Sequence, residues 1–217
     1  QRSLVGSEMC IRDRINPHFL YNSLSIINWK AIEAGNDEIS QVTLALSTYY
    51  RTSLNKGETM TIAANELRNI EAYLHIQLVM HDDSFQVEKQ VEEKILSCSV
   101  PKLILQPLVE NAISHGLQDI EKSGHIIFKL YKSSDGLLIA EVFDNGIGMT
   151  TEQLEHVISH LDVPQNESEH GVGLYNINNR VHLFYGQDYG LTIKSRPNVG
   201  TLVTLTVPLL NLTEEEL

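Results

Sequence analysis

Two short glycine-rich segments are the first candidates for chemistry in this chain of 217 residues. One is Asp144-Asn145-Gly146-Ile147-Gly148, and the other is Gly171-Val172-Gly173-Leu174. Neither is a Walker loop, because no Gly-Lys-Ser/Thr follows, and neither completes G-x-G-x-x-G, because Asn176 occupies the place of the third glycine. Taken singly, each segment is as well explained by an ordinary turn as by a ligand-binding loop, since glycine is common after a strand.

The order of these segments along the chain indicates a purine nucleotide site. Asp144, an acidic residue at the end of a predicted strand, would accept the exocyclic amino group of a purine, and the glycines after it would let the bare backbone come close. Gly171 and Gly173, at a predicted helix N-terminus, would present backbone N–H groups to phosphates, assisted by the positive end of the helix dipole. Such a site needs little basic charge.

Glu110 and Asn111 precede these segments on a predicted helix, and His115 follows one turn later. An amide oxygen such as that of Asn111 is a hard ligand suited to Mg²⁺, which keeps several waters and also binds substrate phosphates. The alternatives are a packing role for Asn111 and an ordinary helix-edge position for His115.

A histidine lies near the start of the chain, in Asn16-Pro17-His18-Phe19-Leu20-Tyr21-Asn22. A neutral imidazole nitrogen is a competent nucleophile, and phosphoryl transfer requires mainly in-line positioning and charge neutralisation. A helical wheel places His18 opposite the apolar seam, so we expect it to be accessible to solvent and Asn22 to orient its imidazole. Pro17 predicts a kink or a helix start beside His18, and the equal alternative is a simple N-cap pair of Asn16 and Pro17.

Taken together, these segments resemble known sequence elements. Four segments resemble, in order, the N, G1, G2 and G3 elements of the ATPase domains shared by histidine kinases, gyrases and related enzymes; they are Glu110-Asn111 in PLVENAISHG, Asp144 to Met149, Gly171 to Leu174, and Gly200-Thr201. The segment from Asn16 to Asn22 resembles the phosphoacceptor box of LytS-like sensor histidine kinases. The likeness extends from Ile15 to Pro208.

The resemblance implies a role for each residue. Asp144 would recognise adenine with support from Thr201, Asn111 would hold Mg²⁺, and Glu110 would orient groups near the γ-phosphate of ATP. His18 would receive the γ-phosphoryl group and pass it to an aspartate of a response regulator. The predicted catalytic residues are His18, Glu110 and Asn22, and the predicted nucleotide-binding residues are Asn111, His115, Asp144, Gly146, Gly148, Gly171, Val172, Gly173, Leu174 and Thr201.

The chain departs from the family pattern at several positions. Met80-His81 stand where an arginine and an aromatic residue are usual, and Lys102 stands where a second proline is common. Both departures affect the expected contact between the N-terminal helices and the ATPase domain rather than the nucleotide site. The segment from Met149 to His170 would be a short lid. Arg180 would either touch phosphate or be an ordinary exposed helix arginine.

The residues before position 80 predict three helices. The first runs from Ile15 to about Ala34; its apolar seam comprises Leu20, Leu24, Ile27, Ala31 and Ala34, and beside it lies a second apolar line of Ile15, Phe19 and Ile26. Gly35-Asn36-Asp37 separates it from a second helix, Glu38 to about Asn55, and a third follows from about Ala64 to Val79. Because a helical hairpin cannot bury such a seam alone, we expect two chains to pair into a four-helix bundle.

The remainder predicts a mixed sheet and helix region. Pro101 is expected to open a helix that runs to about Leu117, another helix starts near Gly173, and a weak helical piece lies between Thr150 and His170. The predicted strands are Phe85–Val91, Ile126–Tyr131, Leu137–Phe143, Leu191–Ser195 and Thr201–Val207. The fold class is therefore α+β, and the resemblance implies a helical-hairpin dimerisation and phosphoacceptor domain followed by an α/β sandwich of the Bergerat type.

Composition narrows the partners. The chain has 28 acidic and 16 basic residues and a formal net charge of −12, which argues against a broad nucleic-acid surface. Cys10 and Cys98 have no metal-type spacing and form no disulfide framework, which fits a reducing compartment. No apolar run approaches the roughly 18 residues needed to span a bilayer.

We therefore predict a sensor histidine kinase that uses Mg-ATP, forms a homodimer and phosphorylates a response regulator receiver domain. The alternatives are a catalytically degenerate nucleotide-binding dimerisation module and a conformational ATPase of the same fold. The expected location is the cytoplasmic side of a bacterial plasma membrane, with a tether to a transmembrane sensor region. The predicted divisions are a non-native or disordered leader (1–14), a helical phosphotransfer region (15–80), an ATP-binding domain (81–210) and an acidic tail (211–217).

Overall fold

The computed structural model describes residues 16–53, 58–117, 123–163 and 172–211. The predicted leader, Ile15, Gly171 and all but the first residue of the predicted acidic tail lie outside these ranges. Among the described helices, none is long and apolar enough to cross a membrane.

The described part of the chain begins with an antiparallel pair of helices, α1 (Pro17–Glu33) and α2 (Asp37–Ser53). The side chain of Asn16 accepts hydrogen bonds from the backbone N–H groups of His18 (3.0 Å) and Phe19 (3.4 Å), so Asn16 is the N-cap of α1. Pro17 occupies the first helical position, where its missing N–H costs nothing. The segment Asn16-Pro17 is therefore both the predicted helix start and an N-cap pair.

Only part of the predicted apolar seam of α1 is buried in the single chain. Leu24 and Ala31 are buried against α2, whereas Ile27, although also placed on the seam, is 47% exposed. The second apolar line is also uncovered, since Phe19 is 73% exposed and Ile26 is 63% exposed. One neighbouring helix covers only one side of α1, and the other apolar side has no cover within the described residues.

The third helix joins the hairpin to the rest of the molecule. A short strand, β1 (Met60–Ile62), leads directly into α3 (Ala63–Met80), which packs along α2. The buried side chain of Asn69 on α3 donates hydrogen bonds to the hydroxyls of Thr52 (2.5 Å) and Ser53 (3.1 Å) in the last turn of α2. The predicted bounds of this helix are confirmed to within one residue at each end.

Two sheets follow. The remaining strands are β2 (Phe85–Val91), β3 (Cys98–Pro101), β4 (Gly124–Lys132), β5 (Leu137–Asp144), β6 (Gly190–Arg196), β7 (Gly200–Pro208) and β8 (Leu210–Asn211). The larger sheet has the order β2-β4-β5-β7-β6, in which β2 pairs with β4 in parallel and all other pairs are antiparallel. The smaller sheet has the order β1-β3-β8 and is antiparallel, so β1 joins the hairpin side of the chain to the sandwich.

Three helices accompany the larger sheet. They are α4 (Gln106–Asn111), which continues into a π-helical turn (Ala112–Gly116), α5 (Thr151–Ser159) and α6 (Val172–Tyr185). Alternate residues of β4 and β5, such as Phe128 and Val142, are buried and share one core with the buried residues of these helices. The α+β class and the sandwich beside a helical hairpin are confirmed.

The prediction that Pro101 opens a helix is wrong. Pro101 ends β3, and the helix begins five residues later, with Pro107 rather than Pro101 in its first turn. Between them, Leu103 has a φ of 56°, which no helix continues through. The short strands β1, β3 and β8 were not expected, because strands of two to four residues leave no alternation to detect.

Candidate active site

Asp144 ends the central strand β5 with a buried carboxyl group, only 2% exposed. The backbone N–H of Gly146 donates to its Oδ1 at 3.0 Å. Burial raises the pKa of the Asp144 carboxyl, and the backbone N–H groups of Gly146 and Thr201 offset this only in part. The site therefore presents one partly compensated acceptor at the end of an apolar strand.

The wall beside Asp144 consists of backbone. A Cβ on Gly116 would lie 2.5 Å from Cγ of Asp144, and a Cβ on Gly146 would lie 1.7 Å from the carbonyl oxygen of Gly116. The N–H of Ile147 donates to that same carbonyl at 3.1 Å. No side chain fits at either glycine, so the turn after β5 and the end of the π-helical turn are fixed against each other.

The second glycine of the turn, Gly148, lies against the end of β6. Gly148 has a φ of +63°, and a Cβ there would lie 1.9 Å from the carbonyl oxygen of Arg196. Ser195 ties this region together, because its hydroxyl accepts from the N–H of Met149 (2.8 Å) and lies 2.9 Å from the hydroxyl of Thr201. Thr201 is thus next to Asp144 across the β5–β7 pair and held in place from β6.

Asn111 is the last residue of α4, half-exposed, and the π-helical turn after it ends at Gly116 beside Asp144. His115, within that turn, is exposed. Helix α6 packs beside α4, so the segment that carries Asn111 adjoins the helix that begins with Val172. The structure therefore brings Gly116 at the end of the N segment, the G1 glycines and Gly200 of the G3 segment around Asp144, and the described part of the G2 segment begins the helix beside α4.

The half-exposed side chain of Asn111 offers one amide oxygen as a candidate ligand for a magnesium ion. Among the described residues there is no group of three His, Cys, Asp or Glu side chains that could hold a metal. The amide oxygen of Asn111 is a hard ligand, and Mg²⁺ is usually bound by one or two protein groups together with waters and substrate phosphates.

The G2 segment divides between surface and core. Gly173 is exposed in the first turn of α6, and a Cβ there would meet nothing within 4 Å. Leu174 is buried in the core, where it anchors the helix. Gly171 lies outside the described residues, and for Val172 the structure describes only the helical backbone.

The described part of the predicted lid is a short helix. Thr150 and Gln153 form a capping box at the start of α5. Asp162 follows the end of α5 and accepts a hydrogen bond from the side chain of Asn178 on α6 (2.9 Å). The same Asn178 side chain accepts from the N–H of Leu191 on β6 (2.8 Å). This amide joins the base of the lid to α6 and β6.

Arg180 contacts the loop before α4. Its Nη1 donates to the carbonyl oxygen of Lys102 at 2.7 Å, although most of the residue is exposed. The unusual Lys102 is itself buried, and burial lowers its pKa. Lys102, which stands where a second proline is common, therefore links the end of β3 to α6 through its backbone carbonyl.

Glu110 lies close to groups of the three surrounding helices. Its Oε1 accepts from Nε2 of Gln106 at 2.5 Å, and the same Nε2 donates to the hydroxyl of Tyr49 at 3.0 Å. Burial raises the pKa of Tyr73, and the Glu110 carboxylate raises it further. The carboxylate of Glu110 thus lies at the junction of α2, α3 and α4.

His18 is exposed at the second residue of α1, as predicted from the wheel. Asn22 is exposed one turn later on the same face, and no hydrogen bond joins the two side chains in the described part of the chain. The structure does not place His18 in contact with the Asp144 turn.

Two residues of the site were missed in the sequence. Gly116 closes the Asp144 wall, and its position at the end of PLVENAISHG was the available signal. Ser195 supports Thr201 and Met149, but a serine within a predicted strand carries no such signal.

Comparison with known families places this architecture. Residues 100–211 match the family model described as histidine kinase-, DNA gyrase B-, and HSP90-like ATPase, and residues 9–85 match the histidine kinase model. The chain belongs to this ATPase family, and its two matched regions are those of a protein-histidine kinase.

The chain is similar to named sensor kinases. It is 32% identical over 201 residues to the sensor histidine kinase YesM of Bacillus subtilis, covering 93% of this chain and 33% of the relative. It is 33% identical over 208 residues to the sensor protein LytS of Staphylococcus saprophyticus, covering 95% of this chain and 34% of the relative. The chain thus spans about one third of the length of these curated relatives.

Solved structures share the fold. Full-length ShkA in complex with AMPPNP has a TM-score of 0.53 at 12% identity, over 85% of this chain and 38% of that one. The mycobacterial sensor histidine kinase MprB has a TM-score of 0.50 at 15% identity, over 70% of this chain and 98% of that one.

Proposed function

We propose that this chain is the catalytic region of a sensor histidine kinase that uses Mg-ATP to phosphorylate itself on His18. The proposal rests most directly on the Asp144 wall, where a buried carboxylate meets the bare backbone of Gly116 and Gly146. A purine edge offers an amino donor to that carboxylate and a flat face to that backbone. The family membership of the chain supports ATP as the nucleotide.

The transfer step needs an accessible nucleophile. A ring nitrogen of His18 attacks the γ-phosphorus, the bond from this phosphorus to the β–γ bridging oxygen breaks, and ADP leaves. The imidazole carries the new N–P bond and releases its remaining N–H proton to the solvent to which His18 is exposed. The phosphoryl group then passes to an aspartate carboxylate of a receiver domain, which regenerates His18. The exposed position of His18 at the positive end of α1 favours a phosphoryl anion there.

The remaining site residues would act on the phosphates. Asn111 would hold Mg²⁺, which neutralises phosphate charge when it is bound. Glu110 would orient groups near the γ-phosphate. Gly171, Val172 and Gly173 would present the start of α6 to the phosphates, and His115 would border the nucleotide.

We further propose a homodimer whose four-helix bundle covers the exposed apolar side of α1, in particular Phe19 and Ile26. In the full-length protein, the kinase region would lie on the cytoplasmic side of a bacterial membrane, tethered to a sensor region. Its partner would be a response regulator receiver domain rather than nucleic acid. The division at about residue 80 between a phosphotransfer region and an ATP-binding domain belongs to the same proposal.

Simultaneous measurement of phosphoprotein and free phosphate tests this function. With Mg-ATP, the purified chain should acquire acid-labile, alkali-stable phosphate, and Asp144→Asn should acquire much less at the same ATP concentration. Steady phosphate release without phosphoprotein would instead indicate a conformational ATPase. Nucleotide binding without either product would indicate a degenerate binding module. Both of these outcomes overturn the proposal.

A further inference from the structure

One buried amide connects the helical hairpin to the sandwich at Glu110. Gln106, the first residue of α4, is buried, and its Nε2 donates both to the Tyr49 hydroxyl (3.0 Å) and to Oε1 of Glu110 (2.5 Å). Tyr49 lies 57 residues earlier, in the last turns of α2. A side chain that donates to two acceptors at once restricts where each of them lies.

Tyr49 is itself held in place. Its ring packs edge-on against Tyr50 with a centroid distance of 5.6 Å, and it packs tilted against Tyr73 on α3 at 6.2 Å. Asn69 on α3 donates to Thr52 in the same last turns of α2. The hydroxyl that Gln106 contacts therefore belongs to a corner of the hairpin that is packed and hydrogen-bonded to α3.

This corner is the end of the hairpin that carries His18. Because α1 and α2 are antiparallel, the last turns of α2 lie beside the first turns of α1. The hydroxyl of Tyr21, one turn after His18, donates to the carbonyl oxygen of Tyr50 at 3.3 Å. A chain of contacts therefore runs from Tyr21, one turn after His18, through Tyr50 and Tyr49 to Gln106 and Glu110.

We propose that Tyr49 is a positioning residue for phosphoryl transfer, whose hydroxyl acts through Gln106 to hold the Glu110 carboxylate toward the His18 end of the hairpin. This inference rests on the proposed function, in which Glu110 serves the transfer to His18. Movement of the hairpin against the sandwich changes the Tyr49–Gln106 contact, and with it the position of Glu110. The nucleotide is held elsewhere, by Asp144 and the glycine-rich turns.

Tyr49→Phe tests the role of the hydroxyl, because it keeps the ring and removes one hydrogen-bond acceptor. We expect the rate of autophosphorylation at saturating Mg-ATP to fall about three- to tenfold, the loss that one hydrogen bond supports, while ATP affinity stays unchanged. Tyr50→Phe is the matched control, since it removes a hydroxyl one residue away on the same helix and should leave both quantities unchanged.

A double-mutant cycle separates positioning from packing. In a Gln106→Met background, where the link is absent, Tyr49→Phe should change the rate no further. The inference is overturned if Tyr49→Phe labels at the wild-type rate, if it changes ATP affinity instead, or if its effect is undiminished in Gln106→Met. The proposed function fails separately, when the wild-type chain acquires no label at all.

Discussion

Gly116 lies so close to Asp144 that a single Cβ on the glycine would stand 2.5 Å from Cγ of the carboxylate. The two residues come from different elements, the end of the π-helical turn after α4 and the end of β5. Their contact joins the segment of Asn111 to the candidate adenine acceptor. It also leaves the Asp144 carboxyl among apolar and backbone groups, with the effect on its pKa described above.

Nucleotide affinity should therefore depend on pH through Asp144. Burial raises the pKa of the Asp144 carboxyl in the folded chain above its ordinary value of 3.8. The protonated carboxyl therefore stabilises the ligand-free fold at pH values below 3.8, and this contribution is lost as the pH rises through the raised pKa. ATP binding depends on pH in the opposite direction, because the adenine amino group donates to the ionised carboxylate. We expect calorimetric measurements to show that ATP affinity falls on acidification at a higher pH than the pKa of an ordinary carboxyl group.

Asp144→Asn is the control for that measurement. The variant retains the titration of the nucleotide but lacks the carboxyl group, so its weaker binding should lose the component of the pH dependence that belongs to Asp144. An unchanged pH profile in the variant would exclude Asp144 as the titrating acceptor.

Gly173→Ala separates stability from phosphate binding. A Cβ at this position meets nothing within 4 Å, and alanine is preferred to glycine within a helix by about 1 kcal/mol. We expect the melting temperature of the ligand-free variant to stay the same or rise while ATP affinity falls severalfold. Wild-type affinity for ATP in this variant would show that no phosphate approaches the backbone at Gly173.

Glu66 on α3 should stabilise the fold by holding the loop that precedes α4. Its buried carboxylate accepts from the N–H groups of Leu103 (2.7 Å), Ile104 (3.0 Å) and Leu105 (3.1 Å). Glu66→Ala leaves three donors without this acceptor but also relieves a charge that burial penalises, so we expect a loss of about 3 kcal/mol. Denaturant unfolding measures it.

Glu71→Ala is the matched control on the same helix. Glu71 forms an exposed ion pair with Lys89, so its removal should cost less than about 1 kcal/mol. Equal losses in the two variants would contradict the role of Glu66.

The exposed apolar side of α1 should form the dimer interface. Ile26→Asp introduces a charge on the uncovered line of Phe19 and Ile26, and we expect analytical ultracentrifugation to detect monomers. Ser25→Asp adds the same charge on the His18 face and should remain dimeric. A dimeric Ile26→Asp variant would place the interface elsewhere.

Long periodic elements of this chain were predictable from sequence, and short or non-local ones were not. The three first helices and the strands of the larger sheet repeat their apolar residues often enough to be located. The helix expected at Pro101 instead begins at Gln106, because the intervening loop is organised by Glu66, some 37 residues away. No local pattern contains that contact.

The candidate site divides in the same way. The chemistry of Asp144 and of the glycines after it was evident from residue types. The closeness of Gly116 and the link from Tyr49 through Gln106 to Glu110 depend on elements far apart in the chain, so they required the structure.

The most direct test of the central claim is the position of the phosphoryl group. After incubation with Mg-ATP, acid-labile label should be present in the wild-type chain and in His81→Gln, which alters another exposed histidine, and absent from His18→Gln. Each variant should bind ATP with wild-type affinity, so that loss of label is not loss of substrate. Undiminished labelling of His18→Gln would contradict the assignment of His18 as the phosphoacceptor.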